Sequence, residues 1–327
     1  MDIYFEPDYG KLYEKIEHGE ADSFRFEDAD GLVTHHFIRR EIPVSVQGGP
    51  YYDLITPYGY GGPAVQEAKD GKRAQLCRDF GEAFASYCRE QRIVSEFVRF
   101  HPVAGNAADF KDLYSAVCIR QTLGTNLAAY DDPVQSEFSK GCRKNIRQAL
   151  RHGVTYRVTG APDDISGFKE IYYSTMDRDH ATAFYYFGDD YFAALHRRFR
   201  DELLYVEALY GEKTIAAGLY FVSDGVIHIH LSGTRSEYLY LSPAYVLRYA
   251  ATLWGKEHGC RMIHHGGGTS NSPEDSLYLF KKQFAKNTSF DFYVGRKIWD
   301  PEMYAEICRL TGADPASEFF PAYRSKQ

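Results

Sequence analysis

The chain has 327 residues and a formal charge of −7 at pH 7, with 27 tyrosines and 22 phenylalanines. That length suits one large domain or two ordinary ones. The acidic balance argues against a protein that coats nucleic acid with its whole surface, and no run of 18 apolar residues is present to span a membrane.

Residues 32–60 read as strands broken by turns, the last of them Tyr58-Gly59-Tyr60-Gly61-Gly62-Pro63. Residues 65–92 carry Leu76, Phe80, Phe84 and Tyr87 at helical spacing. Strands follow over 93–101 and 116–127, then an amphipathic helix over 138–152 stopped by Gly153, then a strand over 154–158. The second half gives helices over 165–177 and 190–199. Three strands over 203–210, 214–223 and 226–232 are joined by tight turns at Gly211-Glu212 and Asp224-Gly225. A helix over 243–258, a short strand, a helix opening near Asp275, an aromatic strand and a helix over 301–310 complete the chain. The recurring plan predicts a mixed-sheet α/β protein of two related halves, 1–155 and 156–327. The six cysteines are scattered without a C-x-x-C pair, and the N-terminus is acidic without a signal-peptide core. The expectation is reduced thiols in a cytoplasmic protein.

The stretch 263–293 carries the most chemistry. An apolar run ends in Gly266, Gly267 and Gly268, and glycines at a strand end let a ligand or another backbone approach closely. The following helix places Lys281 beside an apolar stripe of Leu277, Phe280 and Phe284. A snorkelling lysine is the plain alternative; the glycine neighbours favour contact with an anion or a developing negative charge. Lys282 reads as its solvated neighbour.

Other features divide between site and scaffold. Arg99 lies in an apolar strand, so it is a structural ion pair or an anchor for an anionic acceptor; His101 and Asn106 share its fate. Arg178 and Tyr185 follow a helix end, where loops often line clefts. The helix 138–152 puts Lys140, Arg143, Lys144, Arg147 and Arg151 on one face. That is an ordinary solvated face first and a polyanion contact second. His228 and His230 share a strand face without a carboxylate or cysteine cluster, so no metal is expected.

The element order of the second half resembles the GNAT acyltransferase fold. The whole chain resembles FemAB-like acyl and aminoacyl transferases, including the group labelled BioF2-like acetyltransferase domains, which carry two GNAT-like halves. The matching pieces are Y-Y-D-L-I-T-P-Y-G-Y-G-G-P, E-F-V-R-F-H-P at 96–102 and S-K-G-C-R-K-N-I-R-Q-A-L-R-H-G. T-M-D-R-D-H-A-T-A-F-Y-Y-F at 175–187, L-S-P-A-Y-V-L at 241–247 and G-G-G followed by D-S-L-Y-L-F-K-K-Q-F complete the set. Two departures stand out. The stretch 235–244, R-S-E-Y-L-Y-L-S-P-A, lacks the glycine-rich loop that cradles the coenzyme A pyrophosphate, and Leu279 falls where many GNATs place a tyrosine acid.

The resemblance implies transfer of an acyl group to an amine, with Lys281, at the family's F-K position, acting on the donor. It places Gly266, Gly267, Gly268, Ser242 and Asp275 on the donor side, and Tyr58, Arg99, His101, Asn106, Arg178 and Tyr185 on the acceptor side. Arg143, Lys144 and Arg147 would meet a polyanion. No tightly bound cofactor is implied; acyl-CoA, acyl-carrier protein or aminoacyl-tRNA would be the co-substrate. A small molecule, a peptide or a cell-wall precursor would be the acceptor. A non-enzymatic GNAT-like module binding a nucleotide-linked or peptide ligand is the competing class, and the oligomeric state stays open.

Overall fold

The computed structural model describes residues 2–46, 48–272 and 274–325. In chain order the elements are α1 (Pro7–Lys11), α2 (Glu14–Glu17), β1 (Glu20–Asp28), β2 (Gly31–Glu41), β3 (Tyr52–Ile55), β4 (Ala64–Ala68), α3 (Arg73–Glu90), β5 (Ile93–Arg99), α4 (Ala107–Tyr114) and β6 (Val117–Asn126). Next come α5 (Pro133–Glu137), α6 (Lys140–Arg151), β7 (Val154–Gly160), α7 (Phe168–Arg178), α8 (Asp189–Phe199), β8 (Leu203–Tyr210), β9 (Lys213–Ser223) and β10 (Val226–Thr234). The chain finishes with α9 (Pro243–Glu257), β11 (Met262–Gly266), α10 (Ser276–Lys282), β12 (Ser289–Ile298) and α11 (Pro301–Thr311). Among the described residues no helix is long and apolar enough to cross a membrane.

The residues form two compact units. One comprises 1–3 and 121–290, the other 4–120 and 291–327. The boundary expected near 155 falls inside the first unit, within β7, which ladders along its whole length to β8.

In the unit built from 4–120 and 291–327, β1, β2 and β3 form an antiparallel meander, and β4 pairs with the other end of β2. A crossover through α3 returns the chain to β5, parallel to β3, and β12 closes the order antiparallel to β5. The expected helix 65–92 begins only at Arg73, because Val65 sits on β4 opposite Val33. The α3 stripe of Leu76, Phe80, Phe84 and Cys88 is fully buried and packs on Val33, Phe37 and Val98. Each buried large apolar side chain of this aromatic layer contributes about 1.5–3 kcal/mol. His35 and Glu96 pair inside it, and Trp299 Nε1 donates to Glu96 at 3.2 Å.

The other unit repeats the plan. β7, β8, β9 and β10 form an antiparallel meander. α9 crosses over to β11, parallel to β10, and β6 lies antiparallel to β11. Val246, Leu247, Ala250 and Ala251 seat α9 on the sheet beside Leu204, Val206, Ile215 and Ile227. The β10–β11 pairing covers only Val226 to His228 against Met262 to His264, whereas β10 runs on to Thr234 paired with β9 alone. A register shift between Ile229 and Leu231 bends β10 where the two strands part.

Candidate functional site

The end of β11 is where the sequence placed the chemistry. Gly266 has φ +73°, a left-handed conformation that glycine adopts without strain, and the register to β6 shifts between His264 and Gly266. The chain turns away and is gathered by one buried carboxylate. Asp275 accepts from the Thr269 backbone N–H at 2.9 Å, the Ser270 N–H at 2.8 Å and both hydroxyls at 2.7 and 3.0 Å. Its other oxygen caps α10 by accepting from the Tyr278 N–H at 2.8 Å. Burial alone would raise its pKa, but these bonds outweigh that and hold the carboxyl well below the usual carboxylate range. A Cβ on Gly268 would stand 2.5 Å from Asp275 Oδ1, so this glycine makes room for the clasp. Asp275 therefore organises the loop that follows β11 instead of offering free oxygens to a ligand.

The capped helix presents Lys281. Its Nζ donates to the Gly267 carbonyl at 2.6 Å, which fixes the ammonium at the strand end. Lys282 is half-buried too, so exposure does not separate the pair; the hydrogen bond does. The expected apolar stripe is only partly inward: Phe284 is buried, whereas Leu277 and Leu279 are exposed.

Three helices meet behind the lysine. Phe138, Cys142 and Ile146 of the α6 segment pack on Phe284, with Phe280, Tyr245 and Tyr249 at the margin. Arg248 of α9, which the sequence reading passed over, lies among them at 3% exposure. Its guanidinium carbon is 4.9 Å from the Phe280 ring centre and 5.4 Å from that of Phe284. Its Nη1 reaches the Ala244 carbonyl at 3.4 Å, its Nε has no hydrogen-bond partner, and among the described residues no carboxylate pairs with it. The signal was present: Ala244, Arg248, Ala251 and Gly255 fall on one helical stripe, so a charge stands in a row of small, mostly buried residues. His265, fully buried on β11, has its pKa lowered by burial first and then by Arg248 and Lys281. Thr125 Oγ1 donates to the Phe284 carbonyl at 2.8 Å, so it accepts from His265 Nε2, also at 2.8 Å, which fixes a neutral Nε2–H tautomer.

The remaining expected residues fall in several places. Arg178 lies at the other parted strand, donating to the Thr234 carbonyl at the end of β10 at 3.2 Å and to Asp179 at 2.9 Å. With Glu170, Tyr173, Asp177 and Arg235 it lines an open depression of about 670 Å³. The Tyr185 carbonyl accepts from Tyr172 at 2.8 Å. Ser242 heads α9 in a left-handed conformation, φ +54°, and its side chain makes no capping bond. The segment before it is a 3-10 turn, Ser236–Leu241.

In the other unit the residues expected on an acceptor side are tied to their own scaffold. Arg99 donates to the Thr56 carbonyl at 2.7 Å. Asn106 accepts from the His101 N–H at 2.8 Å and donates to the Gly61 and Pro63 carbonyls at 2.8 and 2.9 Å. His101 Nδ1 accepts from the Ala104 N–H at 3.0 Å, and the Tyr58 carbonyl accepts from Tyr9 at 2.7 Å. On α6, Arg143 is half-buried and donates to the Gln135 carbonyl at 3.0 Å, while Lys140, Lys144, Arg147 and Arg151 are exposed and make no ion pair among the described residues. Sequence reasoning also missed a carboxylate beside the histidines: Asp2 meets His228 Nε2 at 2.7 Å, and both are buried.

A meander, a crossover helix and a parallel strand that parts from its neighbour define a GNAT-type fold, and the comparisons agree. The GNAT acetyltransferase domain model matches residues 136–274, which takes in α6 through β11 and stops just before α10. Residues 136–274 are thus similar to a GNAT acetyltransferase domain, and the chain as a whole shares its fold with FemX. The chain is similar to the UDP-N-acetylmuramoylpentapeptide-lysine N(6)-alanyltransferase of Weissella viridescens, 24% identical over 170 residues that make up 51% of this chain. The match spans about half, 49%, of that relative's length. The solved structure of FemX superposes with a TM-score of 0.70 at 13% identity, covering 94% of both chains. The L-PGS structure from Bacillus licheniformis gives a TM-score of 0.55 at 17% identity, covering 96% of this chain and 100% of that one. At these identities the likeness concerns the fold.

Proposed function

We propose that the protein transfers an aminoacyl or acyl group to an amine, with Lys281 acting on the donor carbonyl. The observation that carries this reading is the Lys281 ammonium held 2.6 Å from the Gly267 carbonyl, at the strand end beside which β10 and β11 part. The acceptor amine attacks the donor carbonyl carbon, a C–N bond forms, and the carbonyl oxygen takes the negative charge. A fixed positive charge at that oxygen lowers the barrier. Collapse breaks the bond to the leaving oxygen or sulfur, which takes up the proton released by the nitrogen. Gly266, Gly267 and Gly268 would let the donor lie along the strand, and Arg178 and Tyr185 would hold the acceptor near the end of β10.

Two features favour an aminoacyl-tRNA donor over coenzyme A. The turn before α9 has no glycine-rich phosphate cradle. The cationic face of α6 is exposed, while its inner face packs on Phe284, three residues from Lys281. Arg143 is tied to the Gln135 carbonyl, so the polyanion contact falls to Lys144 and Arg147. The name of the Weissella relative suggests the side-chain amine of a peptidyl cell-wall precursor as acceptor.

The test offers alanyl-tRNA, acetyl-CoA or an acyl-carrier protein with the lysine-containing UDP-N-acetylmuramoyl-pentapeptide and detects product by mass spectrometry. Transfer from alanyl-tRNA is expected. Donor binding should weaken steeply with salt, because several phosphates are neutralised together, and Lys144→Glu with Arg147→Glu should remove that dependence. Salt-independent micromolar binding of coenzyme A, unchanged by the charge reversal, would overturn the choice of donor.

A further inference from the structure

Arg248 is hard to explain as a stabilising residue. A buried guanidinium needs a countercharge, and none is supplied by the residues around it, which are Tyr220, Cys142, Tyr245 and His265. Burial pulls its pKa down, which is the sign of a charge held where solvation is poor. The Tyr220 hydroxyl, fully buried, has no hydrogen-bond partner either. Replacing such a charge with a hydrophobe of similar size is often neutral or stabilising. What Arg248 does make is a clamp. The guanidinium carbon faces both Phe280 and Phe284, one on α10 and one just beyond it, while the side chain is rooted in the well-packed α9.

Phe280 immediately precedes Lys281, and α10 is a helix of seven residues. A helix that short does not hold its own geometry, so its position comes from the cap and from packing. Asp275 fixes the first turn. Among the described residues no side chain caps the last turn as Asp275 caps the first; Gln283 Nε2 donates to the Tyr245 hydroxyl at 3.1 Å and the Ser139 N–H to the Gln283 carbonyl at 2.8 Å, and Phe280 and Phe284 seat the apolar side of the turn. We propose that Arg248 is a positioning residue: by cation–π contact with Phe280 and Phe284 it holds the last turn of α10 so that the Lys281 ammonium is delivered to the Gly267 carbonyl. The proposal rests on the reading of Lys281 for its catalytic consequence, but the clamp itself is a statement about structure and has its own readout.

The experiment compares wild type, Arg248→Met and Arg248→Lys by competitive lysine acylation with acetic anhydride, quantified by mass spectrometry, alongside thermal unfolding. Lys282 serves as the internal standard. Loosening of the last turn should raise labelling of Lys281 relative to Lys282 by roughly fivefold or more in Arg248→Met, because labelling follows the population of locally opened forms. The melting temperature should stay within about 3 °C of wild type. Arg248→Lys keeps the charge but loses the broad, weakly hydrated guanidinium that lies within reach of both rings, so it should label as Arg248→Met does. In the transfer assay Arg248→Met should lower kcat more than it changes KM. Combined with Lys281→Met it should be no worse than Lys281→Met alone, since both act through one group.

An unchanged labelling ratio overturns the clamp. So does a large fall in melting temperature with labelling raised at every lysine, which would make Arg248 a general structural residue. Restoration of the wild-type ratio by Arg248→Lys also overturns it, because charge alone would then suffice. If the labelling ratio shifts as expected while Lys281→Met retains full transfer activity, the clamp stands and the catalytic reading of Lys281 is what fails.

Discussion

The two units end their parallel strands in loops of the same kind, each gathered by one buried polar side chain, but one gathering group is an amide that both donates and accepts and the other a carboxylate that only accepts. Beyond β5 the organiser is Asn106, whose amide accepts from the His101 N–H and donates to the Gly61 and Pro63 carbonyls of the turn between β3 and β4. Beyond β11 it is Asp275, whose carboxylate collects the N–H groups of Thr269, Ser270 and Tyr278. A donor at the centre turns loop carbonyls inward and uses them up. An acceptor at the centre turns N–H groups inward, and the Gly267 carbonyl meets Lys281. The same supersecondary plan thus yields a closed scaffold in one unit and a presented cation in the other.

The largest effect should come from the cation itself. Lys281→Met is expected to lower transfer by about 10²–10³-fold with little change in melting temperature. Lys282→Met should be nearly silent, and equal losses from both would erase the contrast between the units. Exchanging the organisers tests polarity directly. Asn106→Asp sets a carboxylate against two carbonyls and should cost about 2–4 kcal/mol in urea unfolding. Asp275→Asn should cost about 1–3 kcal/mol, confined to α10 and its loop in hydrogen exchange. A global loss of equal size from both would show that the two loops carry the same load.

The glycines separate the units more gently. Gly62 has φ +85°, and a Cβ there would meet Val98 Cγ1 at 2.7 Å. Gly62→Ala should therefore lower stability by about 1–3 kcal/mol while transfer persists. Gly268→Ala meets only the clasp carboxylate and should reduce transfer more than stability.

The two units also share a dependence on pH. Burial, then His35, lowers the His36 pKa to about 4, and burial, then His228, lowers that of His230 to about 3. Below the unfolded value near 6.5 the unfolded chain takes up protons that the folded chain refuses, so stability falls as pH drops, by up to about 1.4 kcal/mol per unit for each histidine. The decline due to His36 ends near pH 4 and that due to His230 near pH 3. His36→Gln should flatten the curve between 6.5 and 4, and His230→Gln should extend the flattening lower; an unchanged curve in chemical denaturation would contradict these shifts.

Much of this was legible in the sequence because it rests on local pattern. Helical spacing marked α6 and α9, turn chemistry at Gly211 and Gly225 marked the β8–β10 meander, and the glycine strand end pointed to Lys281. What escaped depends on partners distant in the chain. Asp2 and His228 are brought together only by the fold. Val65 reads as helix until β2 pairs with it. Asn106 looked available because its partners in the Gly61–Pro63 turn lie some forty residues earlier. The boundary near 155 assumed that each unit is contiguous, whereas β6 closes the order of the later meander and β12 that of the earlier one.

That exchange of closing strands has a consequence during synthesis. The unit that begins at Tyr4 receives β12, the partner of β5, only after the whole intervening segment 121–290 has been made. At about 5–20 residues per second the ribosome takes on the order of ten seconds or more over that segment. Throughout that interval β5 has β3 on one side and an unmatched edge on the other, an opening for strand-binding chaperones or for mispairing between neighbouring nascent chains.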